Sequence, residues 1–63
     1  MKVIVCTNGL VIPWHSVLSF YPRADGFVWA NLNTTDSVDV CIGPMFDGDT
    51  STLDVVRRNT VDL

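Results

Sequence analysis

Val17-Leu18-Ser19-Phe20-Tyr21-Pro22-Arg23-Ala24-Asp25-Gly26-Phe27-Val28-Trp29-Ala30-Asn31-Leu32 reads as two extended runs folded back on one turn. Pro presets its own φ, Asp bonds nearby backbone donors, and Gly takes positive φ at no steric cost, so Pro22 to Gly26 predicts a hairpin loop of three to five residues. Strand side chains alternate between two faces. If Tyr21 faces Phe27, one face collects Leu18, Phe20, Val28, Ala30 and Leu32. That uniformly apolar set is the expected core. The other face collects Val17, Ser19, Tyr21, Phe27, Trp29 and Asn31.

Working outward, the same turn chemistry recurs at Asn8-Gly9 and Asp47-Gly48, between apolar, β-branched runs. Asn-Gly and Asp-Gly favour two-residue hairpin turns, because both central residues must take positive φ. A two-residue turn at Asn8-Gly9 sets Thr7 against Leu10, Cys6 against Val11, Val5 against Ile12 and Val3 against Trp14. Both faces of that hairpin are apolar, as in a strand pair covered on two sides. Pro13 cannot donate to a ladder, so the second strand is an edge there or ends there. A turn at Asp47-Gly48 sets Ile42 against Leu53, Val40 against Val55 and Val38 against Arg57, and sorts Cys41, Asp39 and Ser37 onto a mixed face with Asp54, Val56 and Arg58. Gly43-Pro44 near that turn would allow a longer loop instead.

Residues 51–58 carry a competing signal. Ser51 and Asp54 have capping-box spacing, and Arg57-Arg58 would suit a helix C-terminus. Thr52, Val55, Val56, Thr60 and Val61 are weak helix formers with good strand propensity. Strand is the expected reading and a short helix the alternative. The expectation is a single domain over residues 1–63, all-β, a small antiparallel meander of five to six strands forming an open barrel or two-layer sheet. With residues 51–58 as a short helix, the class becomes α+β.

Composition narrows the function classes. The chain has 63 residues, is 48% apolar and carries seven acids, all Asp, against Lys2, Arg23, Arg57 and Arg58. A chain this short buries only about 60% of the surface it exposes unfolded. Its apolar content therefore either fills the core or is partly covered by a partner or a second copy. Non-specific nucleic-acid binding depends on Lys and Arg neutralising phosphates, which a net charge of −3 does not favour. The apolar run at Met1–Cys6 is broken by Thr7-Asn8-Gly9, Pro13 and His15, so no secretory leader is read. No run approaches the 18 or so apolar residues of a membrane span. Cys6 and Cys41 have no CxxC spacing, which favours two buried, reduced thiols and a cytoplasmic location over a Cys6–Cys41 bridge. In that setting the sequon Asn33-Thr34-Thr35 has no role.

Tyr21, Phe27 and Trp29 lie beside small polar residues on one strand face, with Arg23 in the adjoining loop. These residue types dominate binding hot spots, so Tyr21, Arg23, Phe27 and Trp29 form the candidate protein-binding site. The alternative is that this face packs on the first hairpin. No catalytic residue, cofactor or metal is expected. His15 is the only histidine, and its neighbour Ser16 supplies none of the spatial convergence a nucleophile needs. One His and two scattered Cys cannot complete a four-ligand zinc site. Asp47-Gly48-Asp49-Thr50-Ser51 starts like a calcium loop, but Thr52 and Arg58 stand where Gly and Glu are required. The acids from Asp36 to Asp54 read as solvated turns. Val61-Asp62-Leu63 has an ending able to add to a sheet edge in a receptor groove.

The implied function is a non-catalytic protein-binding module, of the size of accessory inhibitors or adaptors encoded by viruses and phages. The alternative is a self-assembling structural subunit, a homo-oligomer that buries its apolar surplus between copies. Neither reading involves nucleic acid or membrane.

Overall fold

The structure is a computed structural model that describes residues 1–33, 38–45 and 51–63. Among the described residues six strands, β1 (Lys2–Val5), β2 (Val11–Pro13), β3 (Val17–Pro22), β4 (Phe27–Leu32), β5 (Asp39–Pro44) and β6 (Thr60–Asp62), accompany one α-helix, α1 (Thr52–Arg58). They make two antiparallel three-stranded sheets, ordered β2-β1-β6 and β3-β4-β5. The small antiparallel β fold is as expected, with a short helix in it, but two sheets replace a single meander.

The sheets meet at two seams. After Pro13 ends β2, a 3-10 turn over Trp14–Ser16 carries the chain from the first sheet into the second. At the other seam the Thr7 N–H donates to the Cys41 carbonyl at 3.0 Å. Between the sheets lies one core containing Ile4, Cys6, Ile12, Val28, Ala30, Leu32, Val40, Ile42, Val55 and Val56.

The two hairpins share one turn. Cys6 N–H donates to Leu10 O at 2.8 Å and Gly9 N–H to Cys6 O at 3.0 Å, with Gly9 at φ +88°. Arg23 N–H donates to Phe27 O at 2.9 Å and Gly26 N–H to Arg23 O at 3.1 Å, with Gly26 at φ +84°. Each loop therefore holds three residues, Thr7-Asn8-Gly9 or Ala24-Asp25-Gly26, with the glycine in the left-handed region. In both, the middle side chain accepts a bond from the residue after the loop: Asn8 Oδ1 from Leu10 N–H at 3.0 Å, and Asp25 Oδ1 from Phe27 N–H at 2.9 Å.

The third loop residue corrects the register of the first hairpin, while the second loop falls within its expected three to five residues and is tighter than a Tyr21–Phe27 pairing requires. In the first hairpin Val3 faces Pro13, Ile4 faces Ile12 and Val5 faces Val11, one residue away from the two-residue-turn expectation. With both faces apolar, no polar residue penalised the slip. In the second, Tyr21 faces Trp29 and not Phe27. A shift of two residues preserves the faces, so Phe20, Val28, Ala30 and Leu32 still point inward. Leu18 does not. It sits at an irregularity between Val17 and Ser19 and is exposed, while Val17 packs against the core in its place.

The strand expected over residues 51–58 is α1. Ser51 Oγ accepts from the Asp54 N–H at 3.2 Å, and Asp54 Oδ2 accepts from the Ser51 N–H at 3.3 Å, a complete capping box. At the other end Asn59 Nδ2 donates to Val55 O at 2.8 Å and Thr60 Oγ1 to Val56 O at 2.6 Å, satisfying carbonyls the helix leaves open. Adjacent Val55 and Val56 are both fully buried, which a helix face achieves and an alternating strand does not. Tertiary packing of this face outweighs the weak helix propensity of Val. The expected turn at Asp47-Gly48 lies outside the described residues, as do residues 34–36 of the sequon and turn after Asn33.

Gly43 lies where β5 passes under α1. A Cβ there would sit 2.8 Å from Asn59 Nδ2 and 3.5 Å from Val55 Cγ1. Because the Asn59 amide is held by Val55 O, it cannot swing aside without losing that bond. Gly43→Ala is expected to lower stability by about 1–3 kcal/mol through overpacking. Urea denaturation checks this, and Asn59→Ala in the same chain should recover part of the loss.

Candidate functional site

The outward face of the second sheet is built around Trp29, in the central strand β4. Its cross-strand neighbours are Tyr21 on β3 and Cys41 on β5. Side chains facing each other in this way are close enough to touch. Tyr21, Phe27 and Trp29 are all half-buried and none belongs to the core cluster, whereas Val28, Ala30 and Leu32 of the same strands do. The first hairpin packs on the opposite side of this sheet.

The hairpin turn fixes the indole. Asp25 uses its second oxygen, Oδ2, to accept from Trp29 Nε1 at 3.0 Å. Arg23, at the loop entrance, places its guanidinium 4.6 Å from the centre of the Trp29 ring, in cation–π range. One carboxylate thus holds the turn and the indole together. The Tyr21 hydroxyl donates to Asp39 Oδ2 on β5 at 2.6 Å, reaching across the central strand. Both aromatic side chains have their polar tips tied and their ring bodies set on the sheet.

The Tyr21–Asp39 bond raises the phenol above its ordinary value of 10.0, aided by desolvation and the carboxylate charge and opposed by Arg23. The fold favours the neutral, donating phenol. This bond therefore holds below the ordinary value and is lost as pH rises through the raised one. Tyr21 is the only tyrosine, so its titration can be followed by tyrosinate absorbance. The expected midpoint lies above 10.0 and moves back toward 10.0 in Asp39→Ala. Equal midpoints in the two proteins would contradict the bond.

All four expected binding residues, Tyr21, Arg23, Phe27 and Trp29, lie on one sheet and its turn, with Arg23, Tyr21 and Trp29 linked as described. Sequence reading missed Asp25 and Asp39. Asp25 was legible as a turn residue, but its second oxygen is committed by the register. Asp39 reaches Tyr21 only because β5 pairs with β4.

The remaining features lie elsewhere. His15 is exposed in the 3-10 turn and Ser16 follows it there. Cys6 and Cys41 are free; Cys6 is buried and Cys41 only half-buried. Burial pushes the Cys6 thiol up, and the nearby Cys41 adds to the shift. Val61-Asp62-Leu63 adds to a sheet edge within this chain: β6 pairs with β1. Among the described residues no helix is long and apolar enough to cross a membrane. Comparison with family models, with curated proteins and with solved structures gives no match to this chain, so the face must be read from its own chemistry.

Proposed function

We propose that this chain is a non-catalytic protein-binding module whose contact surface is the Tyr21, Arg23, Phe27 and Trp29 face. One observation carries the reading. Asp25 and Asp39 hold the polar ends of Trp29 and Tyr21, which leaves large aromatic bodies fixed on an outward sheet face with Arg23 over the Trp29 ring. Rings already ordered lose little conformational freedom when a partner covers them, so more of the contact energy appears as affinity. Trp, Tyr and Arg are the residue types in which that energy concentrates. The module acts as an adaptor or inhibitor, of the accessory kind that viruses and phages encode, in the reducing cytoplasm.

The test is capture by the immobilised chain, comparing wild type with Trp29→Ala and with Leu18→Ala as a surface control. A partner held by wild type and Leu18→Ala, and lost by a folded Trp29→Ala, supports the face. Equal capture by all three proteins removes it.

A further inference from the structure

Charge is distributed unevenly around the aromatic face. From Val17 to Met45 the chain has one base, Arg23, against Asp25, Asp36 and Asp39. The other bases stand elsewhere. Lys2 on β1 lies 4.9 Å from the centre of the Trp14 ring, and Arg57 and Arg58 belong to α1, which packs on the inner side of this sheet. Asp25 and Asp39 are both exposed, and among the described residues neither has a basic side chain within ion-pair distance. Each carboxylate instead holds an aromatic donor, Trp29 Nε1 at 3.0 Å for Asp25 and the Tyr21 hydroxyl at 2.6 Å for Asp39.

Those bonds change what the rings attract. A ring that donates its N–H or O–H to an anion gains electron density over its faces, and the anion adds negative charge at its rim. Both effects favour a cation on the ring. The chain itself shows the first pair at work, with the Arg23 guanidinium 4.6 Å from the centre of the Trp29 ring that Asp25 holds. Tyr21 and Asp39 repeat the ring-and-carboxylate pair across the sheet, and no base of the described chain lies over that ring. A carboxylate has about four acceptor positions, so bonding Tyr21 leaves Asp39 able to take a second donor.

Given the contact surface proposed above, on which this depends, we infer that its partner is a basic protein segment whose arginine stacks on Tyr21 and bonds Asp39. Arginine fits better than lysine. Its planar guanidinium can lie flat on a ring while its N–H groups meet a carboxylate at the rim, whereas an ammonium is a strongly hydrated point charge. An acidic partner would set its carboxylates against Asp25 and Asp39, a repulsion that costs affinity. A neutral apolar partner would strip water from both carboxylates without a bond in return. The net charge of −3 extends the preference beyond contact range by steering a basic segment toward the chain.

The experiment is a two-dimensional NMR titration of the whole chain with short serine–glycine peptides of one length, bearing arginine, lysine, citrulline or glutamate, up to millimolar concentration. The arginine peptide should shift the backbone amides of β3, β4 and β5 and the Trp29 indole N–H, with affinity falling as salt rises. Citrulline keeps the shape of arginine without its charge. The citrulline and glutamate peptides should give no shifts, and the lysine peptide should bind more weakly than the arginine one. Asp39→Asn, which still offers Tyr21 an acceptor, should weaken the arginine peptide roughly threefold to fivefold. Asp62→Asn, which removes the same charge from the first sheet, should leave it unchanged. The inference is overturned by no shift with the arginine peptide, by equal binding of the lysine or citrulline peptide, or by equal weakening in Asp39→Asn and Asp62→Asn. Citrulline binding that Trp29→Ala abolishes would refute the charge and leave the aromatic face standing. Arginine-peptide binding that neither Tyr21→Ala nor Trp29→Ala weakens would remove the face as well.

Discussion

Val55→Asp is expected to leave the chain unfolded at room temperature. Val55 is fully buried against β5, and a carboxylate there would meet an apolar core without a partner. An uncompensated buried charge costs about 3–5 kcal/mol, and a domain of this size rarely has more than about 3–5 kcal/mol to lose. Far-ultraviolet circular dichroism should show loss of structure. Val55→Ala should remain folded with stability lowered by about 2–3 kcal/mol, read as a lower urea midpoint. Leu53→Asp, exposed on the same helix, should change stability by less than about 0.5 kcal/mol. The contrast distinguishes helix from strand, because a strand would bury Leu53 together with Val55. Comparable damage from Leu53→Asp would contradict the helix.

The second large effect concerns binding. Trp29→Ala removes the ring on which Arg23 stacks and frees the Asp25 oxygen that accepted from it. Because Trp29 lies outside the core cluster, the fold should survive, with the turn still held by Asp25 Oδ1. Removal of a central hot-spot residue costs about 2 kcal/mol or more, roughly a thirtyfold loss of affinity for the partner. Asp25→Ala should act through the same ring and weaken capture less, since the indole remains but is no longer oriented. An Asp25→Ala loss as large as that of Trp29→Ala would make orientation the whole effect.

Strand content was legible because Asn-Gly and Asp-Gly separate β-branched runs, and turns form at Asn8-Gly9 and Asp25-Gly26. The length of the first loop was not, because its extra residue depends on whether Thr7, before Asn8, joins the loop, and composition is silent on that. The second loop has a length within the expected three to five, but which of those lengths sets the register was not legible. The faces of β3 and β4 survived because their register moved by two, whereas the first hairpin slipped by one with apolar residues on both sides. The helix had a readable signal in Thr52, Val55, Val56 and Asn59, spaced as one helical face. Local propensity pointed the other way, and only burial of both valines decides between them. Four site residues were legible as residue types on one face. Asp39 was not, since its role depends on the β4–β5 pairing, which brings together residues far apart in sequence.

The most direct test of the aromatic face is quantitative capture with three immobilised proteins: wild type, Trp29→Ala and Leu18→Ala, each first shown to be folded. The result expected is one protein retained by wild type and Leu18→Ala and released roughly thirtyfold more readily from Trp29→Ala. Retention of that protein by Trp29→Ala at the wild-type level would contradict the account.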